Sequence, residues 1–339
     1  MKSLEKFIKY FTVVCVIYFF INPAFSETKY KNEFKLSVVV GPVGPWGESA
    51  SKFAELVKQR TDGRVNIKPY FNGQLFAGKQ TNEFLLVKQG AADFALGSTI
   101  NWSTTIKELN LFSLPFFFPD YDSLDSVKNG KPGKMIFSAI KKKGAVPLVW
   151  FENGFRQLTN SKRNINSPQD LNNMKIRVVG SPIFIDIFKS LGANPVSLNW
   201  SESITAFQQN TVDGQENPVV SVLMPYKIWQ FHKYLTLWNY VIDPQILIVN
   251  QNVWNKFSKQ DKEIIIAAAV EVSVWQKKVL REDNSVDFTS KFMTENKMSV
   301  NLLTKNQIES FKNQTKPVYD KWIKIIGSDL VKSAESLMK

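Results

Sequence analysis

The chain has 339 residues, one cysteine, one histidine and a formal charge of +13 at pH 7. One histidine excludes a His-rich zinc centre, and one cysteine excludes a disulfide framework or a cysteine metal site. The charge admits nucleic acid, an anionic surface or an acidic ligand. With no nucleic-acid motif and no basic run longer than Lys141–Lys143, the lysines read as solvated helix faces.

The chain opens with a basic segment (Lys2, Lys6, Lys9), an apolar run from Phe11 to Phe20, and small residues at Ala24 and Ser26. This pattern predicts a cleavable export signal over 1–26 and a periplasmic product. An uncleaved anchor is the alternative, although the run is short for a membrane span. Cys15 lies inside it, so the remaining chain contains no cysteine and must be stabilised by its core alone. Its length is ample for two domains.

The mature chain reads as alternating strands and helices. Phe34–Val40 predicts a strand, broken by the Gly/Pro cluster at 41–45. A helix follows from about Gly47, then a strand over Arg64–Tyr70 and a helix over Gln80–Gln89 closed by Gly90. Ala92–Leu96 predicts a buried strand running into Ser98-Thr99-Ile100-Asn101-Trp102. Further strands are expected at Pro147–Phe151, Arg156–Thr159 and Lys175–Val179, with helices at Ile183–Leu191 and Ser201–Gln209. Ile246–Asn250 predicts a strand that returns to the first sheet. A long helix starts near Ser258, where Asp261 completes a capping box, and is expected to run past Phe288. It either bridges two lobes or serves as a core helix. The expected fold is α/β, two lobes with a cleft between them, where ligands lie beyond the carboxyl ends of strands.

Catalytic groups are sparse. His232 sits in an aromatic stretch with no nucleophile motif nearby, which favours packing over a triad. No carboxylate-rich cation loop occurs, and no cofactor is expected. A secreted hydrolase using a carboxylate pair stays open. Arg177 stands out because it interrupts the apolar strand Ile176-Arg177-Val178-Val179 just before Gly180-Ser181-Pro182. Its planar fork matches a carboxylate with two parallel hydrogen bonds; the alternative is an outward-facing arginine on an edge strand. Arg156, after Gly154, is a second candidate, with a buried structural salt bridge as its alternative. Asn217, in a polar turn, could pair with a carboxylate or a hydroxyl. Trp46, Trp102 and Trp200 fall in predicted loops after strands and are candidate pocket walls, as is Asn101 beside Trp102.

Taken in order, several segments resemble the solute-binding subunits of tripartite ATP-independent periplasmic (TRAP) transporters of the dicarboxylate-binding type. They are Arg60-Thr61-Asp62-Gly63-Arg64-Val65, Asn72-Gly73-Gln74-Leu75, Leu114-Pro115-Phe116, Gly154-Phe155-Arg156, Asp170-Leu171 with Lys175-Ile176-Arg177-Val178, and Val212-Asp213-Gly214-Gln215-Glu216-Asn217-Pro218. The resemblance implies a non-enzymatic receptor that closes on a small organic acid and delivers it to small and large membrane subunits. It implies crossing strands and a long helix shared by two lobes: lobe I from 27–152 plus about 242–281, and lobe II from 153–241 plus about 282–339. It assigns Arg177 the salt bridge to the ligand carboxylate, Arg156 a second pocket arginine, Asn217 a pocket amide and Trp200 an aromatic contact. A monomer is expected, and the runner-up role is receptor for an ATP-driven transporter or a sensor. One departure is Phe76-Ala77-Gly78-Lys79-Gln80, about two residues longer than the family pattern; Glu83 is the candidate for the acidic pocket residue that some members carry.

Overall fold

The computed structural model describes residues 30–282 and 285–338; the predicted export signal, with Cys15, lies outside them. Strand β1 (Phe34–Ser37) leads into helix α1 (Gly44–Arg60), which has Pro45 in its first turn. The predicted strand thus ends early, but Val38, Val39 and Val40 continue it as buried, irregular chain. Strand β2 (Ile67–Tyr70) follows, then a 3₁₀ turn over Gln80–Asn82 and helix α2 (Glu83–Gln89), closed by Gly90 at φ 78°. Strand β3 (Phe94–Ser98) runs into the short helix α3 (Thr99–Trp102), and α4 (Tyr121–Asn129) and α5 (Lys131–Lys142) come next.

Strand β4 (Ala145–Asn160) joins two segments that the sequence predicts as separate strands. Gly154, at φ 112°, carries the chain through the join where L side chains are strained. Register shifts fall at Pro147/Val149, Glu152/Gly154 and Arg156/Leu158, which is where a central strand tolerates irregular residues. Beyond it lie β5 (Lys175–Val178), α6 (Pro182–Ser190), β6 (Asn194–Ser197), α7 (Trp200–Gln208) and β7 (Gly214–Pro218). Asn217 therefore sits in a strand rather than a turn. Strand β8 (Tyr234–Asn250) is also far longer than its predicted apolar end, because Pro244 and polar residues interrupt the pattern.

The sheet order is β2-β1-β3-β8-β4-β7-β5-β6. The antiparallel pair β4 and β8 runs through the middle and belongs to both halves. The C-terminal end of β8 pairs with β3, and the C-terminal end of β4 pairs with β7. The two parallel flanks thus meet at the centre of the crossing strands.

After α8 (Gln251–Lys256) comes the long helix α9 (Lys259–Glu282), opened by the predicted Ser258–Asp261 box. It does not reach Phe288. A new helix, α10 (Val286–Glu295), begins there because Ser285 Oγ accepts from Phe288 N. The buried stripe of α9 runs through Ile265, Ala268, Val272, Gln276 and Leu280, so the predicted Trp275 and Val279 sit at its edge. Gln276 bonds across to Gln245 of β8 and to the backbone of Glu152 in β4. Strand β9 (Ser299–Leu302), α11 (Lys305–Ile326) and α12 (Ser328–Glu335) complete the chain, β9 pairing with β8.

Candidate functional site in the central cavity

Where the two flanks of the sheet meet, a tight cavity of about 20 Å³ is lined by residues from both. That is far below the roughly 300–1,000 Å³ typical of ligand sites, so the two flanks stand closed on one another. Its wall includes Arg177, Arg156, Asn217, Trp200, Asn101 and Trp46. A second groove along Tyr121, Trp238 and Lys312 holds about 510 Å³, but no arginine is among its lining residues.

Arg177 is the third of the four residues of β5, where an alternating strand points its side chain to one face of the sheet. It is 1% exposed. Its Nε and Nη2 both donate to the Leu198 carbonyl at 3.0 and 2.8 Å, and its guanidinium lies 5.6 Å from the Trp200 ring centroid. Among the described residues, no carboxylate lies within ion-pair distance of it. Burial without a paired anion lowers its pKa to about 10.

Arg156 is the opposite case. Burial opposes its charge, but ion pairs to Glu216 and Asp243 outweigh that and raise its pKa. Nη2 also donates to the Glu216 carbonyl and to Asn217 Oδ1, at 2.8 and 2.9 Å. Tyr240 Oη donates to Glu216 at 2.6 Å, and Ser98 and Asn153 both donate to Asp243 at 2.6 Å. Arg156 thus lines the cavity with its charge balanced by two carboxylates and most of its donors engaged by protein.

The three tryptophans lie in helices rather than loops. Trp200 opens α7 behind an Asn199–Glu202 capping box, and Tyr226 meets its ring edge-on at 4.8 Å. Trp46 lies in the first turn of α1 and donates Nε1 to the Leu96 carbonyl at 2.9 Å. Trp102 does not line the cavity. It is fully buried, packs on Phe84 and donates Nε1 to Glu83 at 3.0 Å. Glu83 likewise stays out of the wall; burial raises its carboxyl to about 8.

Sequence reasoning missed Gln80, Asn153 and Asp243, all of which line the cavity. Gln80 lay in a segment that departs from the family pattern, and Asp243 precedes Pro244 inside a strand too irregular to read. His232 is packed on Phe207 with Nδ1 against Thr159 Oγ1 at 2.9 Å, and burial holds its pKa down to about 3.

The family model for bacterial extracellular solute-binding proteins, family 7, matches residues 36–325. A solute-binding protein of Verminephrobacter eiseniae is 32% identical over 73% of this chain and 74% of its own. The solved TRAP periplasmic solute-binding protein of Ralstonia eutropha, with bound (S)-2-acetolactate, is 46% identical at a TM-score of 0.89, covering 91% of this chain and 99% of that one. Its counterpart from Sulfurospirillum deleyianum, with bound succinate, is 30% identical at a TM-score of 0.82, covering 90% and 98%. The fold is that of the two-lobed periplasmic solute-binding proteins that it matches. The chain belongs to family 7 of the bacterial extracellular solute-binding proteins, the solute-binding subunits of TRAP transporters.

Proposed function

We propose that this receptor captures a small 2-hydroxy or 2-oxo monocarboxylate, anchored by Arg177, and delivers it to the membrane subunits of a TRAP transporter. The observation that carries this reading is the contrast between the two cavity arginines. Arg177 is buried beside a carbonyl alone, whereas Arg156 already holds two carboxylates. One free guanidinium suits one carboxylate, so a diacid would leave its second anion without a partner at a high desolvation cost. Val39, Val40, Val179 and Val222 give part of the wall an apolar character, which suits a branched carbon skeleton. The acetolactate carried by the Ralstonia eutropha relative has this chemistry.

One charged contact contributes roughly 1.5–3 kcal/mol, while micromolar affinity needs about 8 kcal/mol. Asn217, Asn101 and Trp46 would supply the remainder, together with exclusion of water. Lobe I (27–152 plus about 242–281) and lobe II (153–241 plus about 282–339) would close by bending the crossing strands. Residues 1–26 would act as the cleaved export signal, which mass spectrometry of the secreted chain checks directly.

A thermal-shift screen of organic acids followed by calorimetry tests the ligand class. Branched 2-hydroxy and 2-oxo monoacids are expected to bind, and succinate to bind far more weakly. Tighter binding of succinate would overturn the monoacid reading. Recovery of a chemically altered compound after incubation would overturn the receptor role.

A further inference from the structure

Gln80 lies in a segment that departs from the family pattern, and it is 4% exposed. It stands between β2 and β3 on one flank of the sheet, yet its side chain bonds to both flanks. Its Oε1 accepts from the backbone N–H of Trp200 at 2.6 Å, and its Nε2 donates to Asn101 Oδ1 at 2.7 Å. The Trp200 N–H can only donate, which fixes the orientation of the Gln80 amide. That orientation in turn leaves Asn101 no choice but to present its oxygen.

Trp200 is the first residue of α7, so its N–H is one of the donors that a helix leaves unsatisfied. Here the acceptor comes from across the cavity. The same residue's ring faces Arg177. Two further bonds join the two flanks outside the cavity lining: Gly41 N–H to Tyr226 Oη at 2.7 Å, and Ser103 Oγ with Ser181 Oγ at 2.9 Å. Of these three, only Gln80 joins residues that all line the cavity.

We infer that Gln80 is a closure latch: its neutral amide ties the Trp200 end of α7 to Asn101 and so sets how long a bound carboxylate is retained. The inference rests on the carboxylate site proposed above. Gln80 is a positioning residue that acts on Arg177 through Trp200. A neutral group suits this place because a carboxylate there would compete for Arg177.

The decisive variant is Gln80→Met, which keeps length and burial but removes both hydrogen bonds. With (S)-2-acetolactate as probe, stopped-flow measurement should show dissociation faster by about five- to tenfold, association unchanged, and an unchanged unfolding temperature for the ligand-free protein. Unchanged dissociation would overturn the latch, as would parallel losses in association and ligand-free stability, which mark a merely structural role. Gln80→Glu should weaken binding further than Gln80→Met, because it places an anion in the cavity that Arg177 also lines. The second arm needs no ligand. The mature chain lacks cysteine, so spin labels at Lys58→Cys and Lys189→Cys, both exposed, report the separation of the two flanks. Gln80→Met should lengthen that distance in the ligand-free protein, and an unchanged distance would overturn the latch. If acetolactate fails to bind the wild type, the proposed ligand class falls and the label distances still decide the latch.

Discussion

Arg177 and Trp200 are held as one unit. The guanidinium carbon lies 5.6 Å from the indole centroid, and two guanidinium nitrogens bind the carbonyl of Leu198, two residues before that tryptophan. The cation is therefore ordered before any carboxylate arrives, which lowers the entropic cost of binding. That order is maintained at the expense of a buried charge with no anionic partner among the described residues.

Removing that charge should separate affinity from stability. Arg177→Ala is expected to abolish carboxylate binding by calorimetry, and Arg177→Lys to fail as well, since a point charge cannot replace a planar fork. Arg177→Met should lose binding but raise the unfolding free energy of the ligand-free protein by about 1–3 kcal/mol, read by urea denaturation. A less stable Met variant would contradict the uncompensated-charge reading.

Arg156→Met should behave in the opposite way. It leaves Glu216 and Asp243 buried without their cation, so stability should fall by about 3–5 kcal/mol. Urea denaturation of this variant beside Arg177→Met gives opposite signs if the two arginines have the roles assigned here.

Trp200→Ala removes the ring face beneath the guanidinium. The lost cation–π contact is worth roughly 0.5–2 kcal/mol, so calorimetry should show affinity lowered by about two- to thirtyfold with one-to-one binding retained. Trp200→Phe should recover part of that loss. Equal effects of the two substitutions would show that the ring face is not what matters.

The sequence exposes Arg177 because a charged residue in a short apolar strand breaks a simple pattern. Its neighbours were harder to read. Strands β4 and β8 cross the whole sheet, but their bulges at Pro147 and Gly154, and Pro244 within β8, break the alternation that would reveal their length. That hid Asp243 and Asn153, whereas Asn217 looks like a turn residue because Gly214 and Pro218 bound its short polar strand, β7. The state of Arg156 depends on partners 60 and 87 positions away, which no local pattern carries. Trp46, Trp102 and Trp200 look alike as aromatics near strand ends. Only tertiary packing turns Trp102 towards Glu83 and the other two towards the cavity.

Glu83 gives a prediction in pH. It is fully buried and accepts from Ser37 Oγ at 2.8 Å and Trp102 Nε1 at 3.0 Å, with burial lifting its pKa from 4.5 to about 8. Between those two values the folded state holds a proton that the unfolded state has released. The folded protein therefore loses stability as pH rises through this window, with a slope of at most about 1.4 kcal/mol per pH unit from this group. The decline should end above pH 8, where both states are ionised. Glu83→Gln copies the neutral carboxyl: its oxygen can accept from Trp102 while its NH₂ donates to Ser37. Urea denaturation from pH 5 to 8.5 should show a falling stability for the wild type and a flatter profile for Glu83→Gln, with the variant ahead at the alkaline end. Parallel profiles would mean that another group controls the slope and that Glu83 is ionised throughout the window.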